Sequence, residues 1–189
     1  KGLDMRCGGD ADVLIEYVDS AKPESFIEEF DVKSTAYIFG GGHVGLALEP
    51  VLSYIGFSTV VIDDREEYAN SSRFAEADQV RVIKSFEDAF KDIETDENSY
   101  IIIVTRGHSF DYTVLSQSLK RKAAYIGMIG SKGKVADTFK RLRDDGFSQK
   151  ELDKVYSPIG LSIFAETPEE IAVSVAAEMI KVRAGHGER

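Results

Sequence analysis

The sequence holds a single cysteine, Cys7, in 189 residues, so neither an internal disulfide nor an all-cysteine zinc site can form within one chain. Basic residues are also in short supply: 23 Lys and Arg stand against 33 Asp and Glu, a formal charge of -10. That balance leaves no basic stripe to follow a phosphodiester backbone, and anionic lipid repels it, so neither nucleic acid nor a membrane is an expected partner. No apolar run approaches the roughly 20 residues that a spanning helix needs, and no secretory signal is visible. The expected location is the cytoplasm. There is no internal repeat and no low-complexity tract. The chain starts at Lys1 in place of Met, which predicts a piece of a longer protein.

What the chain does have is a 43% hydrophobic content, enough for a core of one domain plus an appendage. Residues 1–33 stand apart, with a β-rich Asp12–Val18 and a short helix expected over Pro23–Phe30. From residue 34 to 189, β-type and helix-type stretches alternate at spacings that predict βαβ units. The expected fold is α/β and Rossmann-like: a doubly wound, mostly parallel sheet with helices on both faces. Strands are predicted over Ala36–Phe39, Ser58–Ile62, Val80–Ile83, Tyr100–Val104 and Ala124–Met128. Helices are predicted over His43–Tyr54, Phe86–Ile93, from Asp111 to about Lys122, and from Gly133 to about Asp145. Pro50 falls inside the first of these and predicts a kink. The last helix is the best marked, because Thr167-Pro-Glu-Glu170 supplies an N-cap, a Pro at the first helical position and a Glu three residues after the cap.

The stretch Ala36-Tyr-Ile-Phe-Gly-Gly-Gly-His-Val-Gly45 organises the rest. Gly40, Gly42 and Gly45 occupy the glycine places of G-x-G-x-x-G between a strand and a helix. Such glycines allow a tight turn, a close backbone approach to an anion, and tight helix-strand packing. The helix N-terminus adds partial positive charge. Asp63 follows the second strand, eighteen residues beyond Gly45, at a spacing that suits an acid contacting a ribose hydroxyl. In an open α/β sheet the loops after the first and fourth strands flank one crevice. Gly40–Gly45 is therefore expected to face Thr105–Asp111, with the loop at Gly130, Ser131 and Lys132 on the same edge and Ser131 able to cap. Thr105, Arg106, His108 and Lys132 then join the glycines around a pocket for an anionic ligand. His43, near a helix N-terminus, reads as a neutral donor. His108 and Asp111 either orient a ligand or cap the next helix. No nucleophile-base pair is visible, which favours binding over catalysis.

Cys7, in Met5-Arg-Cys-Gly-Gly9, has two readings. A neighbouring Arg and bare glycine backbone favour a thiolate that a bulky partner can approach; otherwise it is an inert small residue. The glycines and Asp63 also admit an NAD(P)-dependent oxidoreductase or a nucleotide-sensing regulatory module.

Taken together, Met5-Arg-Cys-Gly-Gly9, Phe39-Gly-Gly-Gly-His-Val-Gly45, Val61-Ile-Asp-Asp-Arg65, Thr105-Arg-Gly-His-Ser-Phe-Asp111, Tyr125-Ile-Gly-Met-Ile-Gly-Ser-Lys132 and Pro158-Ile-Gly-Leu161 with Thr167-Pro-Glu-Glu-Ile-Ala172 resemble the XdhC/CoxI family of xanthine dehydrogenase accessory proteins. The resemblance implies that residues 1–33 are the end of an N-terminal family domain ahead of a Rossmann domain over 34–189. It implies that the chain binds molybdenum cofactor (molybdopterin), holds it while a cysteine desulfurase installs a terminal sulfur, and delivers it to a xanthine dehydrogenase-type hydroxylase. Under it Cys7 becomes a contact to the molybdenum or its sulfur, the crevice takes the pterin phosphate or a nucleotide portion, and a homodimer is expected. One stretch departs from the family pattern: Ser162-Ile-Phe-Ala165 stands where a glycine-containing turn is expected.

Overall fold

In the computed structural model the described residues are 34–185, and they fall in a unit spanning Lys33–Arg189. The elements expected over Asp12–Val18 and Pro23–Phe30, together with Cys7, lie outside the described residues. Along the chain run β1 (Thr35–Phe39), α1 (His43–Tyr54), β2 (Ser58–Asp63), β3 (Gln79–Val82), a 3-10 turn at Phe86–Asp88, β4 (Ser99–Ile103), α2 (His108–Ser118), β5 (Tyr125–Met128), α3 (Lys132–Asp144), α4 (Gln149–Leu152), β6 (Val155–Tyr156) and α5 (Pro168–Arg183). The strands form one sheet in the order β3-β2-β1-β4-β5-β6, and every pairing is parallel. The fold is thus α/β and Rossmann-like, with the strand order reversing beside β1.

Period-two alternation decides which side chain meets which helix. Phe39, Ile101 and Ile103 point to one face and pack with Val114 and Leu115 of α2 and Val135 and Leu142 of α3. Ala36, Ile38, Tyr100 and Ile102 point to the other, against Leu48 and Leu52 of α1 and Val175 and Met179 of α5. Central β4 is buried along its whole length, which is why its sequence is a continuous apolar run and not an alternating one. Each fully buried large aliphatic or aromatic side chain contributes about 1.5–3 kcal/mol, so these two layers supply most of the driving force.

Two sequence expectations change. The helix expected over Phe86–Ile93 is only a 3-10 turn at Phe86–Asp88, and Asp92 follows with φ 57°, a left-handed conformation that no helix continues through. The two-residue strand β6 and the single-turn helix α4 add to the expected elements. Pro50 lies within α1, which runs unbroken from His43 to Tyr54; the ring sits on the exposed side.

The departure at Ser162–Ala165 has a backbone consequence. Phe164 adopts φ 61°, the region that favours glycine, while 92% of the residue is exposed. A left-handed L-residue costs about 1–2 kcal/mol, and glycine returns part of that advantage through the entropy of its unfolded state. Phe164→Gly is therefore expected to stabilise the fold by about 0.5–1 kcal/mol, a rise in Tm of about 1–4 °C for a domain of this size. Calorimetric unfolding checks it; a lower Tm refutes the strain.

Candidate functional site

Three of the four glycines after β1 are demanded by packing. Gly40 has φ 124°, and a Cβ on it would lie 2.3 Å from the Val104 carbonyl oxygen. A Cβ on Gly41 would lie 2.3 Å from the Tyr68 carbonyl oxygen, and one on Gly45 would lie 2.1 Å from the Gly40 carbonyl oxygen. These are backbone atoms, so nothing can swing aside. Gly42 differs. Its φ of -71° suits any residue, and a Cβ there would meet nothing within 4 Å. Packing does not demand a bare backbone at Gly42, and the missing Cβ leaves the N–H groups that follow it uncovered. The first-turn N–H groups of α1 have no intrahelical acceptor, and no side chain caps them.

Asp63 stands beside this turn with 1% of its side chain exposed. One carboxylate oxygen accepts the Gly41 N–H at 2.9 Å and an Arg65 guanidinium N–H at 3.1 Å. The other accepts the Arg65 backbone N–H at 3.1 Å and its Nε at 2.9 Å. With four donors in place the carboxylate is saturated. Asp63 therefore holds the glycine turn closed, and a ribose hydroxyl reaches it only by displacing Arg65. Arg65 itself lies 3.6 Å over the Tyr68 ring, a cation–π contact.

The neighbouring acid does something different. Asp64, at the end of β2, receives a bidentate hydrogen-bonded pair from Arg106, at the end of β4; the Nη2 to Oδ2 distance is 2.7 Å. Because β1 lies between β2 and β4, this pair bridges the end of β1. The Arg106 hydrogen bond holds the Asp64 carboxyl below its ordinary range. Arg106 also lies 4.2 Å over Phe110. Gly42, His43, Arg65, Tyr68, Thr105 and Arg106 line a cleft of about 290 Å³ at this edge.

A second cleft of about 530 Å³ adjoins it, sharing Thr105, Arg106 and Ile129. Part of its lining is polar, from Thr105, His108, Asp111, Ser131 and Lys134; an apolar wall comes from Pro158, Ile159, Ala165 and Ile171. That apolar wall is held by α5. Glu178 accepts the Tyr125 hydroxyl at 2.6 Å and the Gly160 N–H at 3.0 Å, and the Ser174 hydroxyl donates to the Leu161 carbonyl at 2.6 Å. In the polar part, one Asp111 oxygen accepts the Thr105 hydroxyl at 2.6 Å and the Thr105 N–H at 3.2 Å. Burial pushes the Asp111 carboxyl up to about 6, against the lowering effect of those hydrogen bonds. His108, half-exposed, has its Nδ1 3.9 Å from the other Asp111 oxygen.

The predicted residues thus gather on one sheet edge, with adjustments. Gly42, His43, Thr105 and Arg106 line the first cleft; His108, Gly130 and Ser131 line the second. Gly40, Gly45 and Asp63 shape the turn from behind. Ser131 is the N-cap of α3 by position, yet its hydroxyl makes no capping hydrogen bond, a correction to the expected role. The helices that follow β1, β4 and β5 all begin without a side-chain cap. By contrast α4 and α5 carry complete capping boxes, Ser148 with Glu151 and Thr167 with Glu170. Lys132 is exposed, and it is Lys134, two residues on, that lines the cleft. Among the described residues no cluster of His, Cys, Asp and Glu suited to a metal ion occurs, and no helix is long and apolar enough to cross a membrane.

Comparison with known proteins fits this geometry. The model of the XdhC Rossmann domain matches residues 36–179. The chain belongs to the XdhC family. A Bacillus subtilis (strain 168) relative, named as a probable xanthine dehydrogenase subunit, is 35% identical over 159 residues, covering 84% of this chain and 46% of that protein. YqeB of Escherichia coli (strain K12), an uncharacterized protein, is 28% identical over 158 residues, covering 84% of this chain and 29% of YqeB. The crystal structure of a xanthine dehydrogenase from Bacillus halodurans superposes with a TM-score of 0.69 at 32% identity, covering 81% of this chain and 43% of that one. The XdhC-family chain described here spans less than half the length of each of these relatives.

Asp64, Arg65, Tyr68 and Lys134 join the site without having been expected there. Asp64 and Arg65 adjoin Asp63, so the signal is present in the sequence but carries no register. The apolar wall lies in and beside the Pro158-Ile-Gly-Leu161 motif, which reads in sequence as a family mark and not as a surface. The raised Asp111 carboxyl makes a prediction. Its folded pKa of about 6 exceeds the ~3.9 of an unfolded Asp, so the parent loses stability as pH rises through that window. D111N does not titrate there. Its stability relative to the parent is therefore expected to rise between about pH 4 and pH 7, by as much as about 3 kcal/mol. Urea unfolding at both ends of that range checks it, and a pH-independent difference refutes the buried-acid assignment.

Proposed function

We propose that this protein handles molybdenum cofactor: it binds the cofactor by its phosphate, keeps it while a cysteine desulfurase supplies the terminal sulfur, and passes it to a xanthine dehydrogenase-type hydroxylase. The observation that carries the binding step is Gly42, an unstrained, unpacked glycine at the uncapped start of α1. Phosphate oxygens accept the first-turn N–H groups, and the helix dipole favours their charge. Arg106 supplies a bidentate donor at the cleft edge once Asp64 yields it. Membership of the XdhC family and relatives named for xanthine dehydrogenase support the choice of cargo and of client.

In this reading the chain's own groups bind and shelter the cargo. The apolar wall at Pro158, Ile159 and Ile171 keeps water from one side of a bound ring, and donors in the polar part of the lining fix its orientation. Cys7, beside Arg6, serves as the contact to the metal or to its exchangeable sulfur.

Two variants separate binding from folding. Gly42→Ala is expected to leave Tm within about 2 °C of the parent, because the added methyl meets nothing and its φ is ordinary. The same variant is expected to weaken cofactor binding at least tenfold, about 1.4 kcal/mol, by standing between phosphate and backbone. Equal retention of cofactor by the variant, measured by gel filtration and molybdenum content, refutes the site. Cys7→Ser is expected to keep phosphate-dependent binding but to lose protection of the cofactor's terminal sulfur, read as the activity of a reconstituted hydroxylase. Unchanged reconstitution removes Cys7 from the mechanism.

A further inference from the structure

Asp111 is the most anomalous polar group on this edge. It is 3% exposed, yet it lines the larger cleft. Its Oδ1 accepts both the hydroxyl and the N–H of Thr105, which fully occupies that oxygen. Its Oδ2 accepts no hydrogen bond from the described residues; the nearest cation-forming group is His108 Nδ1 at 3.9 Å. A buried carboxylate with one oxygen clamped and the other open to a cleft is costly to keep unless a ligand supplies donors. Loop clamping alone does not require it, since a neutral amide oxygen clamps Thr105 equally well.

We propose that Asp111 reads the ring of the bound ligand: its Oδ2 accepts the adjacent N–H donors of a 2-amino-4-oxopyrimidine edge, the edge that a pterin carries. The reasons are chemical. An open carboxylate oxygen accepts only from N–H or O–H, so it selects rings that present donors. The apolar lining of the same cleft, from Pro158, Ile159, Ala165 and Ile171, suits the flat face of a bicyclic ring. The two clefts share Thr105, Arg106 and Ile129, so a ligand with its phosphate at Gly42 lays its ring beside Asp111. Arg106, His108 and Lys134 line the same cleft, cationic or N–H groups available to oxygen substituents of the ring. The choice of ring rests on the cofactor-binding reading above, which names a pterin.

Guanine presents the same edge, so the test must tell the two apart. Binding of 6-hydroxymethylpterin, of lumazine, in which an oxo group replaces the 2-amino group, and of GMP is measured by fluorescence or calorimetry on the parent chain and on D111N. The parent is expected to bind the pterin with Kd below about 1 mM, typical of a small ring in a fitted cleft, and to prefer it to lumazine. D111N keeps an oxygen for Thr105 but turns the cleft-facing acceptor into a donor. It is expected to bind the pterin at least tenfold more weakly and to lose the preference over lumazine, with a Tm at neutral pH no lower than the parent's. Should D111N fold poorly, Ala165→Phe fills the cleft from its apolar lining and is expected to abolish pterin binding while inorganic pyrophosphate still binds. No pterin binding by the parent, an unchanged affinity in D111N, or tighter binding of GMP than of the pterin overturns the assignment. Retention of molybdenum cofactor is scored separately. Cofactor held equally by parent and D111N defeats the role of Asp111 alone, whereas Asp111-dependent pterin binding without cofactor retention defeats the cofactor reading alone.

Discussion

The carboxylate of Asp63 is the point on which the site depends. It is almost wholly buried, it accepts four hydrogen bonds, and it joins the end of β2 to the glycine turn after β1. Both polar groups of Gly41 are consumed in the same arrangement, since its carbonyl accepts from Arg73 at 3.2 Å. Hydrogen bonds to a charged group contribute about 1.5–3 kcal/mol each, and breaking a buried charged pair by removing one partner costs about 3–5 kcal/mol. The turn is therefore rigid before any ligand arrives. A preformed turn loses little entropy when an anion docks, and lowering that loss is how a small set of N–H groups achieves useful affinity.

Rigidity at Gly41 divides the glycines by purpose. Gly40, Gly41 and Gly45 let backbone pass against backbone, so they belong to the fold, and any protein with this turn needs them. Gly42 is the single member that the fold leaves free to vary, and it is the one that opens onto the cleft. The same division recurs at the next loops. Gly130, which lines the second cleft, would bring a Cβ no closer than 3.4 Å to the Val135 side chain, an ordinary contact. The glycines that line the clefts are accordingly the ones that packing does not fix.

Local patterns make the strand-turn-helix of β1 and α1, the buried β4 and the capped start of α5 legible in the sequence. Each rests on short-range chemistry: glycine freedom, a continuous apolar run, a capping box. The parallel pairing of the central strands follows from the alternation of elements. What is not legible depends on distance in space. Asp63 reads in sequence as a free acid for a sugar, because no spacing rule reveals that Arg65 folds back two residues to fill it. Ser131 has the residue type of a cap but not the contact. Lys132 and Lys134 are indistinguishable by composition; helix phase turns only the second toward the cleft. Strand β6 has two residues, too few to carry any periodicity. The capping box Ser148-Gln-Lys-Glu151 is the visible mark of α4, and it is available to be read.

Under the proposed cofactor binding, the pair of Arg106 and Asp64 is what an entering phosphate meets first. It crosses the end of β1, and Arg106 shares the cleft with Gly42 and His43 at the start of α1. An exposed ion pair contributes only about 0–1 kcal/mol, and a third of the Arg106 side chain is open to solvent. A phosphate dianion offers the same fork a second acceptor with more charge and more oxygens. It also gains the helix N-terminus, which Asp64 does not reach. The exchange thus favours the phosphate. Asp64, released beside Arg65, remains 3.8 Å from that guanidinium, so its charge is not left unpaired. The resting pair holds Arg106 over Phe110 at the lining of the cleft, where the proposed binding needs it.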